Sequence, residues 1–267
     1  MTDALLIDRD DRGVVTLTLN RPDVRNAFNA QMMQAIGEVV DDLADDGGVR
    51  ALVLTGAGTV FSAGADLNWM SAMRDYSFEE NVADSRGFEA MLRAVDDFPA
   101  PTLARVNGHA LGGAAGLLGC VDIAVAVRGS LFGFTEVRLG IAPAMISAYV
   151  QPRIGTSNAR RYFLTGERFD ADRAREIGLV SEVCAADDLD ATFGQVVDAV
   201  LAAGPTAQRE TKQLIRQIDR LDRDASRELR LELIARLRVA DEGQEGMRAF
   251  FDKRPPDWIP GGDTDRD

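Results

Sequence analysis

The sequence predicts an α/β fold followed by a helical C-terminal region, on three observations. Short and almost wholly apolar runs of strand length, RALVLTG (50–56), PTLARVNG (101–108) and VDIAVAV (121–127), recur through the first 190 residues. Segments with apolar residues at helical spacing alternate with them, which implies crossover units and a sheet covered on both faces. From about Asp187 the strand pattern stops and only helical periods remain.

Each element has its own local reason. VVTLTL (14–19) alternates and predicts a strand, and NRPDVRN after it predicts a turn. Asn29 is suited to cap a helix whose apolar positions Met32, Met33, Ile36, Val39, Val40 and Leu43 recur at helical spacing. The run 50–56 is a buried strand, 78–98 a long helix, and 101–108 and 121–127 two further strands. Beyond Asp187, the segments 187–204, 205–221, 226–240 and 241–254 are all helical in period, with Pro205 in the first-turn position that proline favours. The expected organisation is an α/β core over 1–186, a helical region over 187–258 and a frayed tail over 259–267. No internal repeat or low-complexity segment interrupts it.

Composition narrows the function classes. A chain of 267 residues, 46% hydrophobic and 27% charged, is long enough for one large α/β domain. With 43 acidic against 30 basic residues the net charge is −13, which argues against general affinity for nucleic acid or an anionic membrane. No apolar run approaches the roughly 20 residues of a membrane span. MTDALLIDRDDRG lacks the basic and then apolar order of a signal peptide, so the expected location is the cytoplasm. Cys120 and Cys184 form no C-x-x-C and sit among apolar residues, as buried free thiols do.

Three familiar signatures fail on inspection. GAGTVF (56–61) begins like a dinucleotide fingerprint but carries Phe61 where the third glycine is required. GHALGG (108–113) has P-loop glycine spacing, yet Ala114 and Ala115 stand where lysine and a hydroxyl residue are needed. Ser62 lacks the glycine two residues earlier that a nucleophile elbow demands, and the one histidine, His109, leaves a histidine and cysteine metal site without ligands.

What remains is a pair of small-residue loops, FSAGADL (61–67) and ALGGAAG (110–116), each between a strand and a helix. Backbone N–H groups at a helix N-terminus lack an intrahelical partner, and two that converge can hold an oxyanion. Small side chains would let a ligand carbonyl reach them. Glycines also permit close packing of helix on sheet, which is the plainer reading of either loop alone.

Beyond these loops, the chain resembles the crotonase superfamily of enoyl-CoA hydratases and isomerases. The resemblance runs through LNRPDVRNAFNAQM, FSAGADLNWM, RVNGHALGGAAGL, FGFTEVRLGIAP, RRYFLTGERFDADRAREIGLV and FFDKRPPDW, in family order and spacing. It implies a spiral of β-β-α units with a C-terminal helical region, and assembly as a homotrimer or homohexamer. The substrate would be an acyl-CoA thioester, with coenzyme A part of the substrate and no metal or other cofactor.

The same resemblance assigns roles. The N–H groups of Ala65 and Gly113 would form the oxyanion hole, and Glu136 in GFTEVRLG would be the acid or base. A surface pair of Glu136 with Arg138 or Arg153 is the alternative. The family's other glutamate falls at Gly116, where none is present. Arg25, Ala27, Ala63, Asp66 and Leu67 would surround the adenine and pantetheine, and Lys253 the phosphate end. His109 is a loop residue or, alternatively, a catalytic acid. Asp84, Arg86 and Arg93 lie on the helix expected to cover the acyl pocket, where an arginine would suit a carboxylated chain and a solvated helix face would equally explain the charges.

Three activities remain open on these residues. GGAAGLLGCVDIAVA, FTEVRLGIAPAMIS and ARRYFLTGERFDA resemble bacterial hydratases of the 3-methylglutaconyl-CoA and isohexenylglutaconyl-CoA type, in which a small residue at the Gly116 position is expected. This resemblance favours a hydratase. A Δ3,Δ2-enoyl-CoA isomerase needs only the Glu136 carboxylate, and a non-catalytic acyl-CoA binding protein is the reading from another class.

Overall fold

The computed structural model describes residues 4–259. In chain order its strands are β1 (Leu5–Arg9), β2 (Val14–Leu19), β3 (Ala51–Gly56), β4 (Thr102–Val106), β5 (Ala110–Leu111), β6 (Ile123–Val127), β7 (Leu131–Gly133), β8 (Phe169–Asp170) and β9 (Glu182–Cys184). The α-helices are α1 (Ala30–Ala44), α2 (Leu67–Met73), α3 (Phe78–Asp97), α4 (Gly113–Leu117), α5 (Ala144–Thr165), α6 (Ala171–Glu176), α7 (Leu189–Ala202), α8 (Pro205–Ile218), α9 (Arg227–Val239) and α10 (Asp241–Asp252). Apart from Ile259, the tail expected to fray lies outside the described residues.

Six strands form one sheet in the order β1-β2-β3-β4-β6-β9, antiparallel between β1 and β2 and parallel elsewhere; β5, β7 and β8 form a second, smaller sheet. The parallel register sets Leu17 beside Leu54, Leu54 beside Ala104 and Ala104 beside Ala124. Because side chains alternate along a strand, that row faces one core, with Met32, Met33 and Ile36 of α1 and Met91 and Leu92 of α3. On the opposite face Val53, Leu103 and Val125 belong to a second core.

That second core is closed by α7, through Leu189, Phe193, Val197, Val200 and Leu201. The change of pattern at Asp187 therefore marks a change of secondary structure, while the packing unit continues into the first C-terminal helix. Lys212 of α8 adds a polar tie. Its ammonium is buried and donates to Asp122 Oδ2 at 2.7 Å, Thr102 Oγ1 at 3.3 Å and the Ala100 carbonyl at 3.2 Å.

Local sequence chemistry fixes where the helices begin. Asn29 Oδ1 accepts from the Met32 N–H at 2.9 Å. At α3, Ser77 Oγ accepts from Glu80 N–H while Glu80 accepts from Ser77 N–H, a reciprocal cap. Strand β1 is absent from the sequence expectation for a physical reason: it is an edge strand with Leu5 alone buried, so its residues carry no alternation. Both cysteines are free thiols, Cys120 buried and Cys184 half-buried. Among the described residues no helix is long and apolar enough to cross a membrane.

Candidate active site

Two loops leave the C-terminal ends of β3 and β4 and run side by side. Ser62 N–H donates to the His109 carbonyl at 3.0 Å, and Leu111 N–H donates to the Ser62 carbonyl at 3.2 Å, a parallel bridge between Ser62 and Ala110. Ala65 and Gly113 each lie three residues beyond this bridge, and the chains stay close there, a Cβ on Gly64 falling 3.8 Å from Gly112 Cα. Bare backbone is required between them: Gly64 has φ +94, and a methyl group there would sit 2.6 Å from the Leu111 carbonyl oxygen.

The direction of the Ala65 N–H follows from its other neighbour. Phe28 bridges Ala65 in parallel, its N–H donating to Gly64 O and its carbonyl accepting from Asp66 N–H. In that pattern the bridged residue's own N–H points away from the bridging strand. Gly113 opens α4, so its N–H has no intrahelical acceptor. Among the described residues neither N–H donates a hydrogen bond. Two unengaged donors on adjoining loops can hold one oxygen atom between them.

Glu136 comes to this place through Gly112. That glycine has φ +53 and ψ −128, and its N–H donates to the Gly133 carbonyl at 2.8 Å, which draws the segment after β7 alongside. A methyl on Gly112 would lie 3.6 Å from Glu136 Oε1. Glu136 begins a short 3-10 turn that Gly140 ends. Its Oε2 is buried without a hydrogen-bond partner, and burial pushes the carboxyl pKa above its ordinary value. The surface-pair alternative does not hold, because Arg138 donates to the Thr165 carbonyl and Arg153 to Gly178 O, Val121 O and Asp122 O. A half-buried, unpaired carboxyl next to the loop that carries the free Gly113 N–H is a reactive arrangement.

The position of the absent glutamate is filled by another side chain. A Cβ on Gly116 would overlap Ile146 Cγ2 and lie 2.6 Å from Ile146 Cβ, and Ile146 is itself 1% exposed. One turn earlier on α4, Phe88 meets Gly113, with its Cζ 2.8 Å from where a Gly113 Cβ would be.

The residues expected around coenzyme A divide into two groups. Arg25, Ala27, Ala63, Asp66 and Leu67 come together, since Ala63 N–H donates to the Arg25 carbonyl at 2.9 Å and the bridge between Phe28 and Ala65 joins the same two loops. The Arg25 side chain and Leu67 are exposed, Ala63 is half-buried and Ala27 is buried. The Asp66 carboxylate turns inward: it caps α2 through Asn68 and Trp69 N–H groups and pairs with Arg21 at 2.8 Å. Arg21 and the backbone N–H groups hold its pKa below the ordinary value against the opposing effect of burial. The Asp66 carboxylate thus holds this loop in place.

Lys253 is not brought to these loops by its own chain. It ends α10 with φ 56 and is exposed, and the segment after it is tied to the other end of β3. There the Arg50 guanidinium donates to the Trp258 carbonyl, and Trp258 Nε1 donates to the Ala202 carbonyl. His109 is exposed and its Nδ1 accepts from the Leu131 N–H at 3.0 Å, which gives it the loop-residue role. Arg93 pairs with Asp97 one helical turn on, and Asp84 accepts from Trp69 Nε1 at 3.0 Å, so both are structural. Among the described residues no three His, Cys, Asp or Glu side chains are grouped to hold a metal ion.

Asn26 is the residue that sequence reasoning overlooked. It is fully buried at φ 54; its Oδ1 accepts from Arg21 N–H, and its Nδ2 donates to the Ala57 and Val60 carbonyls. It therefore fixes the loop that carries Ala65. The signal available was an asparagine in a tight turn, where asparagine tolerates the left-handed conformation.

Known proteins carry the same architecture. The family described as Enoyl-CoA hydratase/isomerase matches residues 9–260. The Escherichia coli 2,3-dehydroadipyl-CoA hydratase is 35% identical over 256 residues, covering 95% of this chain and 98% of that protein. Among solved structures, an enoyl-CoA hydratase from Shewanella pealeana superposes with a TM-score of 0.91 at 40% identity, covering 96% of each chain. Pseudomonas aeruginosa AtuE superposes at 0.92 with 36% identity, covering 96% of this chain and 99% of that one. With its fold and nearly its whole length matched, the chain belongs to the enoyl-CoA hydratase/isomerase family.

Proposed function

We propose that the protein adds water across the α,β double bond of an enoyl-CoA thioester, with a branched, carboxylated acyl group of the 3-methylglutaconyl type as substrate. The Ala65 and Gly113 N–H groups hold the thioester oxygen and stabilise the enolate that forms when the β-carbon is attacked. Glu136 takes a proton from water as the oxygen bonds to the β-carbon, then returns a proton to the α-carbon as the enolate collapses. One carboxyl thus serves both transfers, and its raised pKa suits it to alternate between the two forms. The supporting observation is the orphaned Glu136 Oε2 beside two unengaged N–H donors. The carboxylated substrate is favoured by the Escherichia coli relative, which is named for a dehydroadipyl thioester.

A second reading has its own support. Ile146 occupies the space beside Gly116, so the pocket holds one carboxyl where a pair would otherwise stand, and one carboxyl suffices to move a double bond between the β,γ and α,β positions. Incubation with 3-methylglutaconyl-CoA, crotonyl-CoA and a 3-enoyl-CoA separates the readings. Hydration removes the conjugated thioester absorbance and adds 18 mass units, by the mass of water, whereas isomerisation of the 3-enoyl substrate creates the absorbance without a mass change. Turnover of the 3-enoyl-CoA alone would replace the hydratase reading. Absence of both activities would favour acyl-CoA binding without catalysis.

We further propose that Arg25 and the loops around Ala27, Ala63, Asp66 and Leu67 receive the coenzyme A moiety, and that Lys253 reaches its phosphates from a second copy in a trimer. Support for an assembly comes from α9 and α10, which expose Leu231, Ile234, Val239, Phe250 and Phe251.

A further inference from the structure

A cavity of about 450 Å³ lies between α3 and the start of α5, lined by Phe78, Asn81, Val82, Ser85, Arg86, Glu89 and Met145. Its size is that of a small-molecule site, and its position is set by the two helices that flank α4. From α3, Phe88 packs on Gly113, and the residues around it in sequence, Ser85, Arg86 and Glu89, line the cavity. On the α5 side, Ile146 packs on Gly116 and its neighbour Met145 lines the cavity. The space is thus formed by the same two helices that pack on Gly113 and Gly116 of α4.

Most polar groups of that lining are already engaged. Asn81 Nδ2 donates to the Tyr76 and Ser77 carbonyls, Ser85 Oγ donates to the Asn81 carbonyl at 2.8 Å, and Glu89 Oε1 accepts from the Tyr149 hydroxyl at 3.2 Å. Among the described residues Arg86 has neither a hydrogen bond nor an ion pair, although its helix neighbour Arg93 pairs with Asp97. A guanidinium offers five donors in a planar fork that matches a carboxylate. Phe78, Val82 and Met145 supply the apolar walls for the carbons between.

We propose that Arg86 is a specificity-determining residue that binds a carboxylate at the distal end of the acyl group. This rests on the reading of the site as an acyl-CoA hydratase and names the substrate class it prefers. The test compares two saturated thioesters that differ in one group, 3-methylglutaryl-CoA and 3-methylpentanoyl-CoA, by calorimetry on the intact protein. Alongside it, kcat/KM is measured for 3-methylglutaconyl-CoA and crotonyl-CoA.

For Arg86→Gln, the preference for the carboxylated member of each pair falls at least about tenfold, the scale of a lost charge-assisted hydrogen bond. Arg86→Lys, which retains the charge without the fork, recovers part of it. Equal losses on both members, or an unmodified protein that binds the two saturated thioesters equally, would overturn the assignment. If crotonyl-CoA is hydrated while the two saturated ligands bind alike, the Arg86 assignment falls and the hydratase reading stands. If Arg86 governs binding but neither unsaturated thioester is hydrated, the reverse holds.

Discussion

At the scale of single residues, Glu136 couples function to stability. Its folded pKa is raised by burial, so the folded state binds the proton more tightly than the unfolded chain does. The stabilisation from that proton is complete below the ordinary carboxyl pKa of about 4.3 and is lost as pH rises through the folded value. Above that window the protein holds a half-buried carboxylate whose Oε2 is buried without a hydrogen-bond partner. Glu136→Gln removes the charge and keeps the shape, so at neutral pH the variant should melt higher than the parent while its turnover falls by about 10² to 10⁴. Thermal denaturation across pH 4 to 8 together with steady-state assays checks both; a lower melting temperature at pH 7, or unchanged turnover, would contradict the assignment. Asn26 is the opposite case, a buried polar side chain with every bond made. Its replacement by alanine should destabilise the fold by roughly 2 to 3 kcal/mol, since it strands the Ala57 and Val60 carbonyls, as urea denaturation would show.

Among elements, α4 carries the consequences of being only Gly113–Leu117 long and packed against Phe88 at Gly113 and Ile146 at Gly116. Gly113→Val would press against Phe88 and block the approach to its own N–H, so turnover should vanish with the fold retained by circular dichroism. Gly116→Glu alone should destabilise the protein and leave hydration of crotonyl-CoA no faster, because Ile146 already fills the space. Combined with Ile146→Ala, the same glutamate has room, and melting temperature should recover relative to the single variant; no recovery would mean that Ile146 is not the obstacle. These elements also show what a sequence can carry. Strands buried on both faces, such as Ala51–Gly56, and helices with a capping side chain, such as Asn29 before α1, announce themselves through local composition. The two glycine loops were legible as a pair, since each alone is explained by close packing of helix on sheet. Ile146 opposite Gly116 was not, because the two meet only when α5 packs on α4, and nothing in either segment encodes that distance. The inward turn of Asp66 was likewise hidden, as it depends on Arg21 arriving from another loop.

At the scale of the whole molecule, Trp258, which follows Lys253, is tied to Arg50 at the start of β3, whereas the Ala65 loop follows its end, and α9 and α10 leave large apolar side chains uncovered. Both facts fit an assembly in which one copy's C-terminal helix meets another copy's site. A lysine facing a coenzyme A phosphate contributes a charge-assisted contact, so Lys253→Ala should raise KM for CoA thioesters about tenfold or more and leave pantetheine thioesters nearly unaffected. On the proposed assembly, Phe250→Asp with Phe251→Asp should disperse the copies in sedimentation and produce the same selective loss, because each site would then lack the Lys253 of its neighbour. Subunit mixing decides between the two arrangements. Glu136→Gln chains have Lys253 but no acid or base, and Lys253→Ala chains have Glu136 but no phosphate contact. If Lys253 acts across subunits, co-assembly of the two restores some sites with both groups, and a low-KM component reappears that neither parent shows. If it acts within its own chain, every mixed site remains defective and KM stays at the Lys253→Ala value.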